Sequence, residues 1–310
     1  SGDWKCAGCS TENPPLMPFC SACRVPRGGK ALRTRRVGGE EGLIHVIVCQ
    51  HGFQGNSSDL RLFRDYMTVM FPDAVILLAK TNEGKTETDF TSMGQRLARE
   101  VVSFVTETCG GHRFPRLEKL SFIGHSIGGI IIRTALAQPA MRPLLGKLHT
   151  LLTLSSPHLG FLYGSSLIDT GIYMLKKWRK VVTLEQLAFT DNVDVKETFL
   201  YKLSKERGLE YFKHVILCSA HQDKYCPFHS ARIEKCSAAL KDARFGQYHC
   251  EMVENLISPL DPARLLRVDI NYKLGKTSFD TVIGRAAHIR FLDNIPVTMQ
   301  LLYCYRQLFE

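Results

Sequence analysis

No stretch of this 310-residue chain comes near 18 consecutive apolar residues, so a membrane-spanning helix is not expected. No signal-peptide pattern opens it. Ser1-Gly2 leads straight into a polar, cysteine-bearing segment, and a start without methionine reads as that of a fragment. Internal repeats and long low-complexity tracts are missing as well. What remains is ordinary globular composition, 45% hydrophobic and 23% charged, in a chain long enough for one large domain and a small one. Acidic residues are the scarcer charged type, and the formal net charge is +10. That balance favours an acidic partner such as an anionic membrane surface or an acidic protein face. A solvated basic surface would give the same count, and nucleic acid is not expected.

The eleven cysteines fall into two groups. Seven (Cys49, Cys109, Cys218, Cys226, Cys236, Cys250, Cys304) stand singly, mostly inside apolar runs, which suits free thiols in a reducing, cytoplasmic setting. The other four, Cys6, Cys9, Cys20 and Cys23, form two C-x2-C pairs in DWKCAGCSTENPPLMPFCSACRVP. Two such knuckles can set four thiolates at the corners of a tetrahedron, the arrangement of a closed structural zinc site. So short a segment cannot build a core, and bound Zn2+ would supply its folding free energy. A disulfide pair is the competing reading, disfavoured by the knuckle spacing. Residues 29–41 continue as a basic, glycine-rich linker. From Arg24 to Arg36 there are six cations and no acid, the pattern of a solvated flexible run.

From Gly42 the pattern becomes regular. Short, nearly continuous apolar runs predict strands buried on both faces at 43–50, 74–80, 119–124, 149–156, 213–220 and 263–272. Between them, helical periodicity predicts helices over 57–71, 89–109 and 127–137, with a last helix over about 295–309. Alternating strands and helices imply an α/β class fold, a mainly parallel sheet with helices on both faces. Ligands bind such sheets beyond the carboxyl ends of the strands.

Those ends carry the chemistry. Gly124-His125-Ser126-Ile127-Gly128 is G-x-S-x-G between a strand and a helix, the context of a nucleophile elbow. Ser126 is the expected nucleophile, and the Ile127 amide opens a helix. His51-Gly52-Phe53-Gln54-Gly55 follows the first strand, where a second oxyanion-binding amide would be drawn from Phe53. A serine of ordinary pKa needs a base, and the base needs an orienting acid. Asp223 lies directly after the strand at 213–220. His288 is the histidine placed after the last strand and before the last helix, with His249 as the alternative base. His51, His125 and His158 are expected to line the pocket. No cofactor is expected for the chemistry itself.

Two resemblances add to this reading. The first 28 residues resemble the Ran-binding-protein type of zinc finger through Trp4, Cys6, Cys9, Asn13, Cys20, Cys23 and Pro26. That implies a recognition module, with a protein such as ubiquitin as one partner. Residues 42–310 resemble the lipase-like serine esterase family, domain of unknown function 676. Within it they are most similar to the carboxyl-terminal domain of the "family with sequence similarity 135" proteins. The stretches HGFQGNSSDLRLFRDYM, SFIGHSIGGIIIR, KLHTLLTLSSPHLG and GRAAHI carry this likeness. It implies an α/β-hydrolase fold, Ser126, Asp223 and His288 in matching positions, and hydrolysis of a lipid-like ester. The insertion at 159–210 reads as lid-like: Ile168, Ile172 and Leu175 share a helical face, and Lys176, Lys177, Trp178, Arg179 and Lys180 follow.

Overall fold

A computed structural model describes residues 3–6, 11–15, 42–164, 181–272, 288–289 and 291–310. Of the expected zinc ligands only Cys6 falls among them. Around it a two-stranded antiparallel ribbon pairs β1 (Trp4–Lys5) with β2 (Glu12–Asn13), and the Cys6 amide donates to the Thr11 carbonyl at 2.9 Å. The linker and the apolar face at 168–175 lie outside the described residues.

The main sheet has six strands: β3 (Ile44–Gln50), β4 (Val75–Leu78), β5 (Leu117–His125), β6 (Leu148–Leu154), β7 (His214–Ser219) and β8 (Leu265–Asp269). They lie in the order β4-β3-β5-β6-β7-β8, and every pairing is parallel. Each expected strand is present. β5 starts two residues early, because Leu117 pairs with Ile44 although Glu118 beside it is exposed.

Side chains alternate between two cores, which is why the strands read as unbroken apolar runs. Val46, Val48, Leu151, Val215 and Leu217 face one layer, with α2 (Phe90–Thr108), α3 (Gly128–Leu136) and much of the chain between β6 and β7. Ile47, Cys49, Leu152, Ile216 and Cys218 face the other, with α1 (Arg61–Met70). The chain enters α1 through one 3₁₀ turn, Ser57–Leu60, closed by reciprocal hydrogen bonds between Asn56 and Asp59.

Between β6 and β7 lie α4 (Val182–Leu187) and α5 (Phe199–Lys205). Leu184, Leu187, Leu200 and Leu203 are buried in the α2/α3 layer, and the Gln186 side chain accepts the Phe90 amide at 2.9 Å. This half of the insertion is therefore packed as a wall of the domain. Its buried leucines are paired with the sheet's own core. After β7 come α6 (Phe228–Arg232), α7 (Ser237–Lys241) and α8 (Gly246–Ile257). α9 (Ile295–Cys304) then closes the α1 side, and Phe309 meets Phe71 at 6.1 Å between ring centroids. Among the described residues no helix is long and apolar enough to cross a membrane.

At the amino edge of the sheet, His45, His149 and His214 form a chain of ring contacts at 5.9 and 5.6 Å. Ser121 Oγ accepts the Thr150 amide and stands 2.8 Å from His45 Nε2. Burial, then His149 and Lys119, lowers the His45 pKa to about 3. Burial, then Lys119 and Lys213, lowers that of His149 to about 4. The unfolded chain takes up protons below about pH 6.5 that these folded rings refuse, so stability is full above that pH and drains as pH falls. The melting temperature is expected to drop between pH 6.5 and 5. The His45→Gln/His149→Gln variant should show a shallower drop in calorimetry over the same window.

Candidate active site

The loops after β3, β5, β6 and β7 leave the same edge of the parallel sheet, and the elbow stands near its centre. β5 runs without interruption into the turn, where Ser126 takes φ +54°, a left-handed conformation costly for a side-chain-bearing residue. The Ser126 amide donates to the Leu154 carbonyl at 2.9 Å, tying the turn to β6. α3 starts immediately afterwards and is buried on every side. Gly128 sets how closely it approaches β3: a Cβ there would lie 2.4 Å from the Gln50 carbonyl oxygen and 3.0 Å from that of His51. Gly→Ala inside a helix ordinarily stabilises by about 1 kcal/mol. At Gly128 the sign should reverse, with a loss of about 1–3 kcal/mol from overpacking against fixed backbone. Gly146→Ala, where a Cβ meets nothing within 4 Å, is the matched control. Denaturant titration of the two variants checks this.

Ser126 is buried, and its hydroxyl donates to His288 Nε2 at 2.9 Å. His288 Nδ1 in turn donates to Asp223 Oδ2 at 2.7 Å. The Asp223 side chain is 1% exposed, and its other oxygen accepts the Tyr225 and Cys226 amides at 2.8 and 3.1 Å. This Asx-type turn fixes the carboxylate before the histidine reaches it. Sequence reasoning did not assign these two amides, although an aspartate two and three residues ahead of them, just after a strand, is the signal of such a turn. Tyr225 also stacks obliquely at 5.8 Å from the His288 ring.

The three histidines expected to line a pocket are all buried. His125, from inside the elbow motif, donates through Nε2 to the His288 carbonyl at 3.0 Å, with the rings 5.0 Å apart. Burial above all, then the His288 charge, lowers its pKa to about 3, so it remains a neutral clamp on the backbone that carries His288. His51 and His158 are both fully buried. His51 Nδ1 donates to the Gly52 carbonyl at 3.0 Å. His158 stands behind α3, with Nε2 3.2 Å from Thr153 Oγ1, and burial holds its pKa well down. The Arg133 guanidinium donates to the His158 carbonyl at 3.0 Å and to that of Leu203 at 3.3 Å. Both rings thus brace loops from within and do not face solvent. His249, the alternative base, donates through Nε2 to the Glu234 carbonyl at 3.2 Å.

The loop after β3 closes the opposite side of the serine. A Cβ at Gly52 would fall 2.8 Å from Ser126 Cβ, so this loop lies directly against the elbow. Gln54 takes φ +52°, and its amide donates to Thr86 Oγ1 at 2.8 Å, which holds the bend containing Phe53. Ile127 begins α3 with helical φ and ψ, and an amide at a helix start has no acceptor within the helix.

A parallel sheet with a serine elbow after its central β5, an acid after β7 and a histidine after β8 defines the α/β-hydrolase fold. Over residues 40–238 the chain matches the model of the family described as "Putative serine esterase (DUF676)", and it belongs to that family. Ser126 and Asp223 lie inside the match, and His288 lies beyond it. Among solved structures the chain is similar to an α/β-hydrolase enzyme from a sediment metagenome of the lagoon of Mar Chica, Morocco. Identity there is 17%, the TM-score is 0.44, and 88% of this chain and 97% of that one are covered. It is also similar to an esterase of Pyrococcus furiosus, at 10% identity and TM-score 0.49 over 87% and 85% of the two chains. A third similarity is to a Bacillus licheniformis lipase, at 16% identity and TM-score 0.43 over 85% and 96%.

Proposed function

We propose that this chain is a serine hydrolase that cleaves carboxylic esters through an acyl-enzyme. The observation that carries this reading is the unbroken line from Ser126 through His288 to Asp223, at 2.9 and 2.7 Å, starting on a serine of positive φ. Ser126 Oγ attacks the ester carbonyl while His288 Nε2 takes its proton. Asp223 holds the proton on Nδ1 and stabilises the imidazolium that forms. The Ile127 and Phe53 amides donate to the oxygen that becomes negative. His288 returns the proton to the departing alcohol, and water then attacks the acyl-enzyme along the reverse course.

The substrate is a lipid-like ester in this reading. Its support is the sequence of the insertion, where an apolar helical face is followed by Trp178 and four cations suited to an anionic surface. A panel of esters of increasing acyl length, dissolved and in micelles, tests both parts, with fluorophosphonate labelling as the direct readout of the nucleophile. Turnover that rises with acyl length supports the lipid-like substrate. A folded chain that neither turns over esters nor takes the label would instead be a scaffold, with its amino-terminal finger as the working part.

A further inference from the structure

Beyond the acid loop, His229 on α6, Cys236 just before α7 and His249 on α8 bring one ligand atom each to within 4.8 Å of one another. Nothing in the proposed ester chemistry uses them. Their hydrogen bonds are those of a metal site. His229 Nε2 lies 3.0 Å from the Leu162 carbonyl, and His249 Nε2 lies 3.2 Å from that of Glu234. A carbonyl can only accept, so each ring carries its proton on Nε2 and keeps its lone pair on Nδ1. Metal-bound histidines are held in this way, with the far nitrogen donating to a carbonyl that fixes tautomer and orientation.

A second observation is independent of that clustering. His249 is 1% exposed, and its Nδ1 has no hydrogen-bond partner among the described residues. Leaving a buried polar atom unpaired is destabilising, a cost that a bound cation would recover. Cys236 Sγ meanwhile accepts the Ala239 amide at 3.4 Å, a bond that a metal-bound thiolate also accepts.

We propose that His229, Cys236 and His249 form a mononuclear zinc site, separate from the amino-terminal finger. Two imidazoles and one thiolate suit Zn2+, and three protein ligands leave the fourth position to water. Zinc bond lengths put tetrahedral donor atoms roughly 3.4–3.6 Å apart, so the three side chains need draw in by little more than about 1 Å. The ion would fasten three segments to one another: α6, which follows the Asp223 loop; the turn before α7; and α8. Through the His229–Leu162 bond it would also anchor the near end of the insertion.

The test uses the full chain with Cys9→Ser and Cys20→Ser in the finger, loaded with Zn2+ and dialysed, its metal counted by plasma mass spectrometry. One zinc per chain is expected to remain, and Cys236→Ser or His229→Asn should lower its affinity by more than about tenfold. Co2+ in place of zinc should give a thiolate-to-cobalt band and tetrahedral ligand-field bands that vanish in Cys236→Ser. Circular dichroism reports whether each variant folds, and the cobalt spectrum of the finger-altered chain decides the question should they not. Retention of no metal by that chain, cobalt bands without thiolate character, or zinc retained equally by Cys236→Ser would each overturn the proposal.

Discussion

Ser126→Ala is expected to remove fluorophosphonate labelling entirely and to lower ester turnover by at least about 10³-fold, with the fold intact. The hydroxyl is the only atom removed, and alanine keeps the Ser126 amide on the Leu154 carbonyl. Whether alanine tolerates φ +54° is the one structural question, and circular dichroism with a thermal melt answers it. His288→Ala should cost about as much as Ser126→Ala, and the double variant scarcely more, because nucleophile and base act as one unit. Three rate measurements therefore separate a working triad from a coincidental cluster: additive losses, or a labelled Ser126→Ala chain, would sink the assignment.

The second large effect is at Asp223. Asp223→Asn keeps size and shape, and its carbonyl oxygen can still accept the Tyr225 and Cys226 amides. What faces His288 is then an amide N–H, which donates where the carboxylate accepted. The imidazole must present a lone pair at Nδ1 and carry its proton at Nε2, toward Ser126. In that tautomer it cannot take the serine proton, and losses on the order of 10⁴-fold follow from this inversion in triads of the same design. Labelling should slow in proportion, while KM changes little, because no atom that binds substrate has moved. Turnover of Asp223→Asn within tenfold of the unaltered chain would mean that Asp223 does not orient the base.

Much of this arrangement is legible in the sequence because parallel strands buried on both faces leave apolar runs that periodicity cannot hide. The loops after them then select Ser126, Asp223 and His288 by position alone. What stays illegible is partnership across distance. His125 reads as a pocket residue beside the serine, yet its partner is a backbone carbonyl 163 residues away. Arg133 reads as the polar break in IIIRTALA, yet its guanidinium is buried, its pKa lowered to about 9 by that burial, and it ties the loop after β6 to α5. The insertion reads as a lid through Ile168, Ile172 and Leu175, which lie outside the described residues, whereas Leu184, Leu187, Leu200 and Leu203 further along it find their partners in the α2/α3 layer. His229, Cys236 and His249 carry no knuckle spacing to announce them, since three separate segments deliver them.

The same long separations set an order of events. The histidine beside Ser126 comes from 162 residues further along, delivered only when the segment just before α9 reaches its place beside α1. Contacts so distant in sequence form late, because loop-closure entropy must be met before they give any return. During refolding, helix and sheet signals should therefore recover first and the capacity to be labelled last. A nascent chain would carry the elbow and the loop of Asp223 before the segment that holds His288 docks. Competence for chemistry is thus a timer on the completion of the domain.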